Sequence, residues 1–439
     1  MITLDSVISR HDERIAFRRL NSDNSVVVQC DSLREFRVNG TGLFIWNLIG
    51  GDLPVSRIVA SVSRKYSVTG KRLQSDIIAY LSEMYEGGLI KIDGSYVNQK
   101  REVRLPRLMD TDPVFRKIAT EGNIPYMTNF VLSYRCNLHC NHCYIPAMRD
   151  LLDTSEVRRV LDQLADLRGI FVRFTGGEPF LRKDILEVLS HAKMRGFAVA
   201  VNTNGFFITK DVANALRRIY PMDVNISVYG CKPQTHDLVT QRKGSLEVSL
   251  RAIELLRSAG VNVNINYVVM NHNVDEMEQV KSWAEERGVG FRPEYSIFPR
   301  RDGDKKPLCH RATNQQLIRI FRAGLIREPK PTLCKPASIK LRIDPDGTVH
   351  PCEMLDCDLG NLKEKSLAQI WNSHEVQEFR AMNIQSPAKC SSCRLKDICF
   401  RCAGIAQMED GDMHLPSSWA CKVSHLYEYI TRAAVSHPS

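Results

Sequence analysis

The sequence predicts an α/β protein in which an incomplete (β/α) barrel lies between a small winged-helix-like unit and a cysteine-rich C-terminal segment. Three observations support this fold class. Strand and helix patterns alternate between about residues 125 and 300, helical patterns dominate the first 98 residues, and cysteines become frequent after residue 305. A chain of 439 residues is long enough for two or three domains that each bury a core.

The first predicted unit covers residues 1–98. Its pattern gives strands at 14–20 and 25–30, helices at 42–49, 55–66 and 70–86, and a last short strand at 89–92. Gly87 and Gly88 end the third helix, because glycine readily adopts the backbone conformation found at a helix C-terminus. A charged stretch that contains Pro106 follows, and we expect residues 99–124 to be a linker.

The second predicted unit covers residues 125–304. Strand candidates lie at 130–133, 171–174, 198–202, 223–228, 261–269 and 290–295, and helical stretches such as 155–167 and 245–259 separate them. This alternation predicts parallel strands with helices outside. Six repeats favour a partial (β/α)6 barrel over a closed barrel of eight. Residues 305–439 then form the cysteine-rich segment, which we expect metal to hold together in place of a large apolar core.

Charge and hydropathy narrow the possible partners and location. The net charge is +10, but no long basic block concentrates it, so the sequence predicts neither a nucleic acid nor a membrane partner. The N-terminus lacks a secretory pattern, and no apolar run approaches the roughly 18 residues of a membrane span. We therefore predict a cytoplasmic protein. Because cytoplasmic thiols stay reduced, its 14 cysteines favour metal or cluster binding over disulfides.

The most specific motif is CxxxCxxC, formed by Cys136, Cys140 and Cys143 after the first barrel strand. A four-iron cluster normally takes four thiolates, so three cysteines would leave one iron open to another ligand. A zinc site completed by His139 or His142 is the alternative.

The ends of the next barrel strands also carry suggestive groups. Gly176, Gly177 and Glu178 follow the second strand, and Thr203 and Asn204 follow the third. Ligands of parallel sheets bind at the carboxyl ends of strands, so these groups should share one cavity with the cysteine loop. Glycines allow a close backbone approach, and a glutamate can accept hydrogen bonds from an amino group.

Together these motifs resemble the radical S-adenosylmethionine (SAM) superfamily. The resemblance implies that a [4Fe-4S] cluster on the three cysteines binds SAM, which yields a 5′-deoxyadenosyl radical. It also implies that Gly176, Gly177 and Glu178 bind the methionine amino group, that Thr203, Asn204 and Ser227 lie near the ribose, and that His142 helps to seat the adenine. The segments Tyr229-Gly230 and His236-Asp237 are weaker candidates for shaping the cavity.

The later cysteines resemble the SPASM extension, which holds two auxiliary iron–sulfur clusters. The resemblance implies one cluster on Cys390, Cys393, Cys399 and Cys421. It implies a second on Cys334, Cys352 and Cys402 with Cys309 or Cys357, unless that site is open to substrate. Two residues, where the family pattern has three, separate Cys399 from Cys402, and a zinc ribbon is the alternative for the compact part. Cys30 and Cys231 are expected to be buried, unreactive thiols.

The first unit could suggest DNA binding, but its third helix carries mostly acidic residues after its start. The segment 39–46, with Tyr66 and residues 80–90, resembles instead the PqqD-like domain. This resemblance implies that residues 1–98 bind the leader of a precursor peptide as an added strand. A purely structural role as a cap on the barrel is the alternative.

The three resemblances imply a radical SAM enzyme that installs an oxidative modification or cross-link in a ribosomally made precursor peptide. They also imply an electron donor such as flavodoxin or ferredoxin, whereas the catalytic acid or base is not identified. The alternatives are a protein maturase of the anaerobic sulfatase type, which lacks such an N-terminal unit, and an enzyme that tailors a haem-like cofactor. A non-catalytic iron–sulfur or zinc protein that regulates or carries electrons is the non-enzyme alternative.

Overall fold

The computed structural model describes residues 2–32, 34–99, 113–146, 152–331, 335–382, 384 and 387–436. Cys334 and half of the predicted linker lie outside these residues. Among the described residues, no helix is long and apolar enough to cross a membrane.

The N-terminal domain is built from two small antiparallel sheets and three helices. In chain order its elements are β1 (Val7–Arg10), β2 (Ile15–Arg19), β3 (Ser25–Gln29), β4 (Glu35–Val38), α1 (Gly40–Leu48), β5 (Leu53–Pro54), α2 (Val55–Tyr66), α3 (Lys71–Glu86) and β6 (Ile90–Ile92). The strand orders are β2-β3-β4 and β5-β1-β6. The three predicted helices are present, whereas β1, β4 and β5 were missed because two to four residues carry little periodicity.

Apolar residues at helical spacing give this domain its core. Ile77, Leu81 and Met84 of α3 are buried together with Trp46 of α1. This spacing places them on one helix face, which packs against the domain core. Gly88, with φ of +69°, reverses the chain after α3, as the glycine pattern predicted.

The central domain follows a short helix, α4 (Pro113–Glu121), and alternates strands with helices. Its elements are β7 (Met127–Ser133), α5 (Thr154–Asp166), β8 (Phe171–Gly176), α6 (Ile185–Met194), β9 (Ala198–Thr203), α7 (Lys210–Ile219), β10 (Asp223–Ser227), α8 (Pro233–Thr240), α9 (Ser245–Ser258), β11 (Val263–Val268), α10 (Met277–Glu286) and β12 (Gly290–Glu294). All six strands are parallel, and neighbours in sequence are neighbours in the sheet. The predicted α/β fold with a six-stranded partial barrel is confirmed.

Alternation along the strands separates an apolar outer face from a polar inner face. Phe130, Val172 and Val201 belong to the core shared with the helices. Their neighbours Asn129, Arg173 and Asn202 line the cavity inside the barrel. Successive strand residues point to opposite faces, so the polar positions form a continuous inner lining.

The C-terminal domain extends the barrel sheet. Its elements are α11 (Asn314–Arg322), β13 (Lys340–Ile343), β14 (Val349–His350), α12 (Leu367–Trp371), α13 (His374–Ala381), α14 (Ala388–Ser391), α15 (Ala403–Asp410) and α16 (Ser418–Ser436). Strand β13 pairs parallel with β7, and β14 pairs antiparallel with β13.

The expectation that metal would replace an apolar core in the C-terminal domain was wrong. Trp371 and Trp419 are each 1% exposed and belong to the same large core as the barrel helices. The prediction failed because it weighed the density of cysteines and turns above the apolar residues of α12 and α16.

The N-terminal domain covers the end of the barrel at which the strands begin. Arg18 of β2 donates hydrogen bonds to the carbonyl oxygens of Gly169 and Arg195, both at 2.8 Å. Arg168 donates to the carbonyl oxygen of Leu20 at 2.7 Å, and Tyr220 to a carboxylate oxygen of Asp31 at 2.8 Å. These barrel residues follow helices and precede strands, so the contact surface lies opposite the carboxyl ends of the strands.

We expect Arg18→Ala to loosen this domain contact, because it leaves two carbonyl oxygens without their charged donor. The cost should be about 2–3 kcal/mol, as for other hydrogen bonds that involve a charged group. Hydrogen exchange of β2 and of the loop before β9 should accelerate. Arg19→Ala is the matched control, since Arg19 bonds only to carbonyl oxygens of its own turn. Equal exchange in both variants would contradict the prediction.

Candidate active site

The cysteine loop follows β7, which lies between β8 and β13 in the extended sheet. Its backbone is fixed by bonds from the His139 and Asn141 amides to the carbonyl oxygens of Thr240 and Val239. Burial raises the pKa of the Cys140 thiol, and the thiolates of Cys143 and Cys136 raise it further. The three sulfur atoms are thus close enough to repel one another as anions, and a cationic centre would relieve this repulsion.

The three sulfur atoms of the cysteine loop do not all lie within 4.8 Å of one another. Among the described residues, the group of metal-ligand atoms that lie within 4.8 Å of one another is that of Asp344, His350 and Asp356. The thiols of the loop are therefore spread more widely. A tetrahedral zinc ion with 2.3 Å bonds needs sulfur atoms only about 3.8 Å apart.

The Asp344 group itself is an ion network. Arg342, which is fully buried, donates to Asp344 at 2.8 Å and to Asp356 at 2.7 Å. Arg301 also lies 3.8 Å from Asp344, so two guanidinium groups balance the two carboxylates and the group does not need a metal ion.

Gly176 and Gly177 lie directly beneath the cysteine loop. A Cβ atom on Gly176 would lie 2.1 Å from the Ser133 carbonyl oxygen, and one on Gly177 would lie 2.2 Å from that of Arg135. Two backbone bonds, Gly177 N to Ser133 O at 2.7 Å and Glu178 N to Arg135 O at 2.9 Å, hold the segments together. The glycines thus allow the end of β8 to support the loop, a role that the sequence did not reveal.

Glu178 ties the ends of β8 and β9 together. Its carboxylate is fully buried and accepts hydrogen bonds from the Phe180 amide, the Thr203 hydroxyl and the Asn204 amide at 2.7–3.0 Å. Burial raises the pKa of this carboxyl group to about 7, although each of the three hydrogen bonds lowers it. Glu178 does not line the cavity, although Thr203 and Asn204 do. Its observed contacts are those of a positioning residue, and direct binding of a ligand amino group stays a prediction.

The raised pKa of Glu178 predicts a pH-dependent stability. The folded protein holds a proton that the unfolded chain releases, so stability should fall as the pH rises from about 4.5 to about 7. Glu178→Gln should lack this pH dependence. Its amide NH2 group would face a backbone N–H, two donors without an acceptor, so its free energy of unfolding at acidic pH should be about 1–3 kcal/mol lower than that of the wild type. Chemical denaturation across this pH range measures both effects. Glu278→Gln on the exposed side of α10 should match the wild type, and a slope that persists in Glu178→Gln would contradict the assignment.

Asn204 links the third strand to the cysteine loop. Its side-chain amide donates to Asn137 Oδ1 at 2.8 Å and lies 3.8 Å from Cys136 Sγ. Thr203 and Ser227 line the same cavity. The structure therefore brings together the strand-end residues that the sequence singled out, and their parts in ligand binding remain predictions.

The histidine in the loop packs against the fourth strand end. The rings of His142 and Tyr229 meet edge to face with centroids 4.8 Å apart, and the Tyr229 amide donates to His236 Nδ1 at 3.1 Å. Burial lowers the pKa of His142 to about 3, so this ring is neutral. His236 therefore holds the Tyr229 backbone through this hydrogen bond, and it does not itself line the cavity.

A cavity of about 2840 Å³ connects the cysteine loop to the C-terminal domain. Its lining includes Cys136, Cys140 and Cys143 on one side and Cys352 and Cys402 on the other. Sequence reasoning missed a contact across it, in which the Tyr144 hydroxyl donates to Glu353 at 3.4 Å. These residues directly follow Cys143 and Cys352. Their positions, each directly after a predicted ligand cysteine, could have indicated this contact from the sequence.

The C-terminal cysteines form two groups. Burial raises the pKa of the Cys421 thiol, and the thiolates of Cys399, Cys390 and Cys393 raise it further, so these four cysteines lie together. Cys352 likewise raises the pKa values of Cys357 and Cys402.

Other cysteines lie outside these groups. Cys309 is exposed, and its carbonyl oxygen bonds to Asn271. Cys30 is buried as expected, but Cys231 is exposed, which corrects the prediction for it. Cys231 lies in the loop before α8 and bonds to Glu276 and Gln279, polar partners that make exposure favourable.

Family models match three parts of the chain. The Radical SAM superfamily model matches residues 130–284, the model of the SPASM iron-sulfur cluster-binding domain matches 334–394, and that of coenzyme PQQ synthesis protein D (PqqD) matches 25–90. Among curated proteins, the chain is 28% identical to PqqA peptide cyclase of Xanthomonas axonopodis pv. citri, over 69% of this chain and 89% of the relative. It is 26% identical to AdoMet-dependent heme synthase of Methanosarcina barkeri, over 66% of this chain and 94% of the relative.

Solved structures share the fold over even more of the chain. Streptococcus suis SuiB bound to precursor peptide SuiA aligns with a TM-score of 0.62 at 16% identity, covering 94% of this chain and 99% of SuiB. The anSMEcpe structure with bound AdoMet and a peptide aligns with a TM-score of 0.55 at 16% identity, covering 71% of this chain and 98% of that one. With the three family matches and the site geometry, these findings confirm the sequence-based prediction: the chain is a radical SAM enzyme that carries an N-terminal PqqD domain and a C-terminal SPASM domain.

Proposed function

We propose that this enzyme installs an oxidative modification or cross-link in a ribosomally made precursor peptide. The observation that carries the proposal is the PqqD match at a domain that Arg18 holds on the barrel through two hydrogen bonds. The similarity to PqqA peptide cyclases supports it. The units at 1–98, 125–304 and 305–439, with a linker at 99–124, are proposed as its functional parts.

The enzyme would use SAM and iron–sulfur clusters, and the donor sets fit them. Cys136, Cys140 and Cys143 would hold the cluster that binds SAM. The residues at the carboxyl ends of the strands (Gly176, Gly177, Glu178, Thr203, Asn204 and Ser227), together with His142 of the cysteine loop, would shape the SAM site. When bound, SAM supplies a hydrogen-abstracting radical. The chain itself holds the loop in place through Gly177 and Asn204 and surrounds the site with a large cavity.

Two auxiliary clusters are proposed for the C-terminal domain. One would use Cys390, Cys393, Cys399 and Cys421, and the other would use Cys352, Cys357 and Cys402 with Cys334. Cys357 is chosen over Cys309 because it lies beside Cys352. A substrate that loses a hydrogen atom must also lose an electron, and a cluster near the cavity can accept it. A small electron-transfer protein such as flavodoxin or ferredoxin would supply the first electron.

The choice between Cys357 and Cys309 can be tested with a matched pair. We expect Cys357→Ala to lower the iron content of the reconstituted protein by up to about four atoms and to change its electron paramagnetic resonance spectrum. Cys309→Ala should leave both unchanged. The reverse result would make Cys309 the ligand, and no loss in either variant would argue for a site open to substrate.

The leader peptide would bind residues 1–98 as an added strand at a sheet edge. Main-chain hydrogen bonds would supply affinity, and side-chain pockets would supply selectivity. The similarity to AdoMet-dependent heme synthase makes haem chemistry the second candidate, whereas the PqqD match at residues 25–90 favours a peptide substrate.

The experiment is to incubate the anaerobically reconstituted full chain with SAM, a reductant and a small peptide encoded beside its gene. We expect 5′-deoxyadenosine together with a peptide that has lost two hydrogen atoms for each modification. SAM cleavage with no change in any such peptide, but with a change in a porphyrin precursor, would favour the second candidate. No SAM cleavage would contradict both.

A further inference from the structure

Arg173 places a positive charge on the inner face of the barrel. It lies in the middle of β8, in register with Asn129 of β7 and Ala200 of β9. All three residues line the large cavity. On the β9 side of Arg173, Ala200 brings only a methyl group to the cavity wall.

The contacts of Arg173 leave its charge unbalanced. Within the described part of the chain it makes one hydrogen bond, from Nη1 to Asn129 Oδ1 at 3.4 Å, which is at the long limit. Its Nε is buried and has no partner among the described residues. A guanidinium that is partly withdrawn from water is costly unless it is paired with an anion.

Nearby carboxylates on the inner face already have other partners. Asp223 binds Arg292 at 3.1 Å and Asn225 at 2.7 Å. Glu353 accepts bonds from Asn129 and from Tyr144. Arg173 thus contrasts with Arg292 on the same inner face, whose charge is balanced by an aspartate.

The neighbourhood of Arg173 is positive. The guanidinium groups of Arg173 and Arg327 both lower the pKa of Arg292, after the larger effect of burial. Several cations therefore act on the same part of the cavity. Because Asp223 already balances Arg292, an anion bound there would gain chiefly from Arg173, in a region that is screened less than the surface.

We propose that Arg173 binds a carboxylate group of the substrate and thereby positions the segment that is modified. The inference rests on the proposed function. It adds that a carboxylate lies beside Arg173 when the modified segment is bound, and that this carboxylate belongs either to an acidic side chain or to the C-terminus of the peptide. A guanidinium can bind a carboxylate through two parallel hydrogen bonds, which fixes orientation as well as position.

Binding of small carboxylates to the full chain tests the proposal. The cluster-loaded protein with SAM is titrated with N-acetylglutamate α-amide and its glutamine counterpart, and with N-acetylalanine and its amide. The first pair reports a side-chain carboxylate and the second a C-terminal one. We expect roughly tenfold tighter binding of the acid in at least one pair, as for other charge-assisted hydrogen bonds.

Variants then assign that preference. Arg173→Gln should remove it and Arg173→Lys should keep part of it, whereas Lys330→Gln, which removes an exposed cation at the cavity rim, should leave it intact. Equal binding of acid and amide by the wild type would overturn the proposal, and so would a preference that survives in Arg173→Gln. Weaker SAM binding in Arg173→Gln without peptide would assign the residue to the cofactor and overturn it too. Failure of the proposed function would appear separately, as unmodified peptide despite intact carboxylate preference.

Discussion

The Cys140→Ala variant is expected to contain about four fewer iron atoms than the wild type and to form no 5′-deoxyadenosine from SAM. Cys140 is the central cysteine of the loop, and its thiol lies between those of Cys136 and Cys143 in sequence and close to both in space. Two remaining thiolates cannot retain a cluster that needs three protein ligands and one open iron. Iron analysis and chromatography of the SAM products measure the two effects.

The matched control is Cys231→Ala, which removes an exposed thiol outside all three cysteine groups. It should keep the full iron content and the rate of SAM cleavage. Cleavage of SAM by Cys140→Ala at the wild-type rate would contradict the assignment of the loop as the SAM cluster site.

Gly177→Ala is expected to have an effect nearly as large, although Gly177 is not expected to bind iron. Its added methyl group would lie 2.2 Å from the Arg135 carbonyl oxygen, which belongs to the backbone of the cysteine loop. Backbone cannot rotate away as a side chain can, so the loop must move. Overpacking of this kind costs about 1–3 kcal/mol or more. We expect lower thermal stability before reconstitution and poor iron incorporation afterwards.

Gly51→Ala provides the control for this change, because no atom lies within 4 Å of its added methyl group. That variant should match the wild type in both measurements. If Gly177→Ala instead kept its stability and iron content but lost affinity for SAM, the glycine would serve the ligand directly and not the loop.

Much of this architecture follows from periodicity and spacing. The six barrel strands could be predicted because each is a short apolar run followed by a helix, and their carboxyl ends must lie together in a parallel sheet. For the same reason the cysteine loop, Gly177, Thr203 and Asn204 could be expected around one cavity.

Other features depend on contacts between distant segments, which a single sequence does not display. Strand β13 lies some 200 residues after β7 in the chain yet pairs with it. Glu178 illustrates a second limit: its residue type suggests a ligand-binding carboxylate, and only the three buried donors around it show that it joins two strand ends. Arg173 was overlooked because an arginine within an apolar strand draws attention only when the inner face is known.

The position of the N-terminal domain sets a minimum length for the spacer in any peptide that is held there while it reacts. The domain covers the end where the strands start, and the cysteine loop lies where β7 ends, seven residues further along. That strand spans about 23 Å, which a fully stretched peptide crosses with roughly seven residues. Residues closer than this to the anchored motif would be out of reach, so distance along the peptide would itself select which side chain is modified.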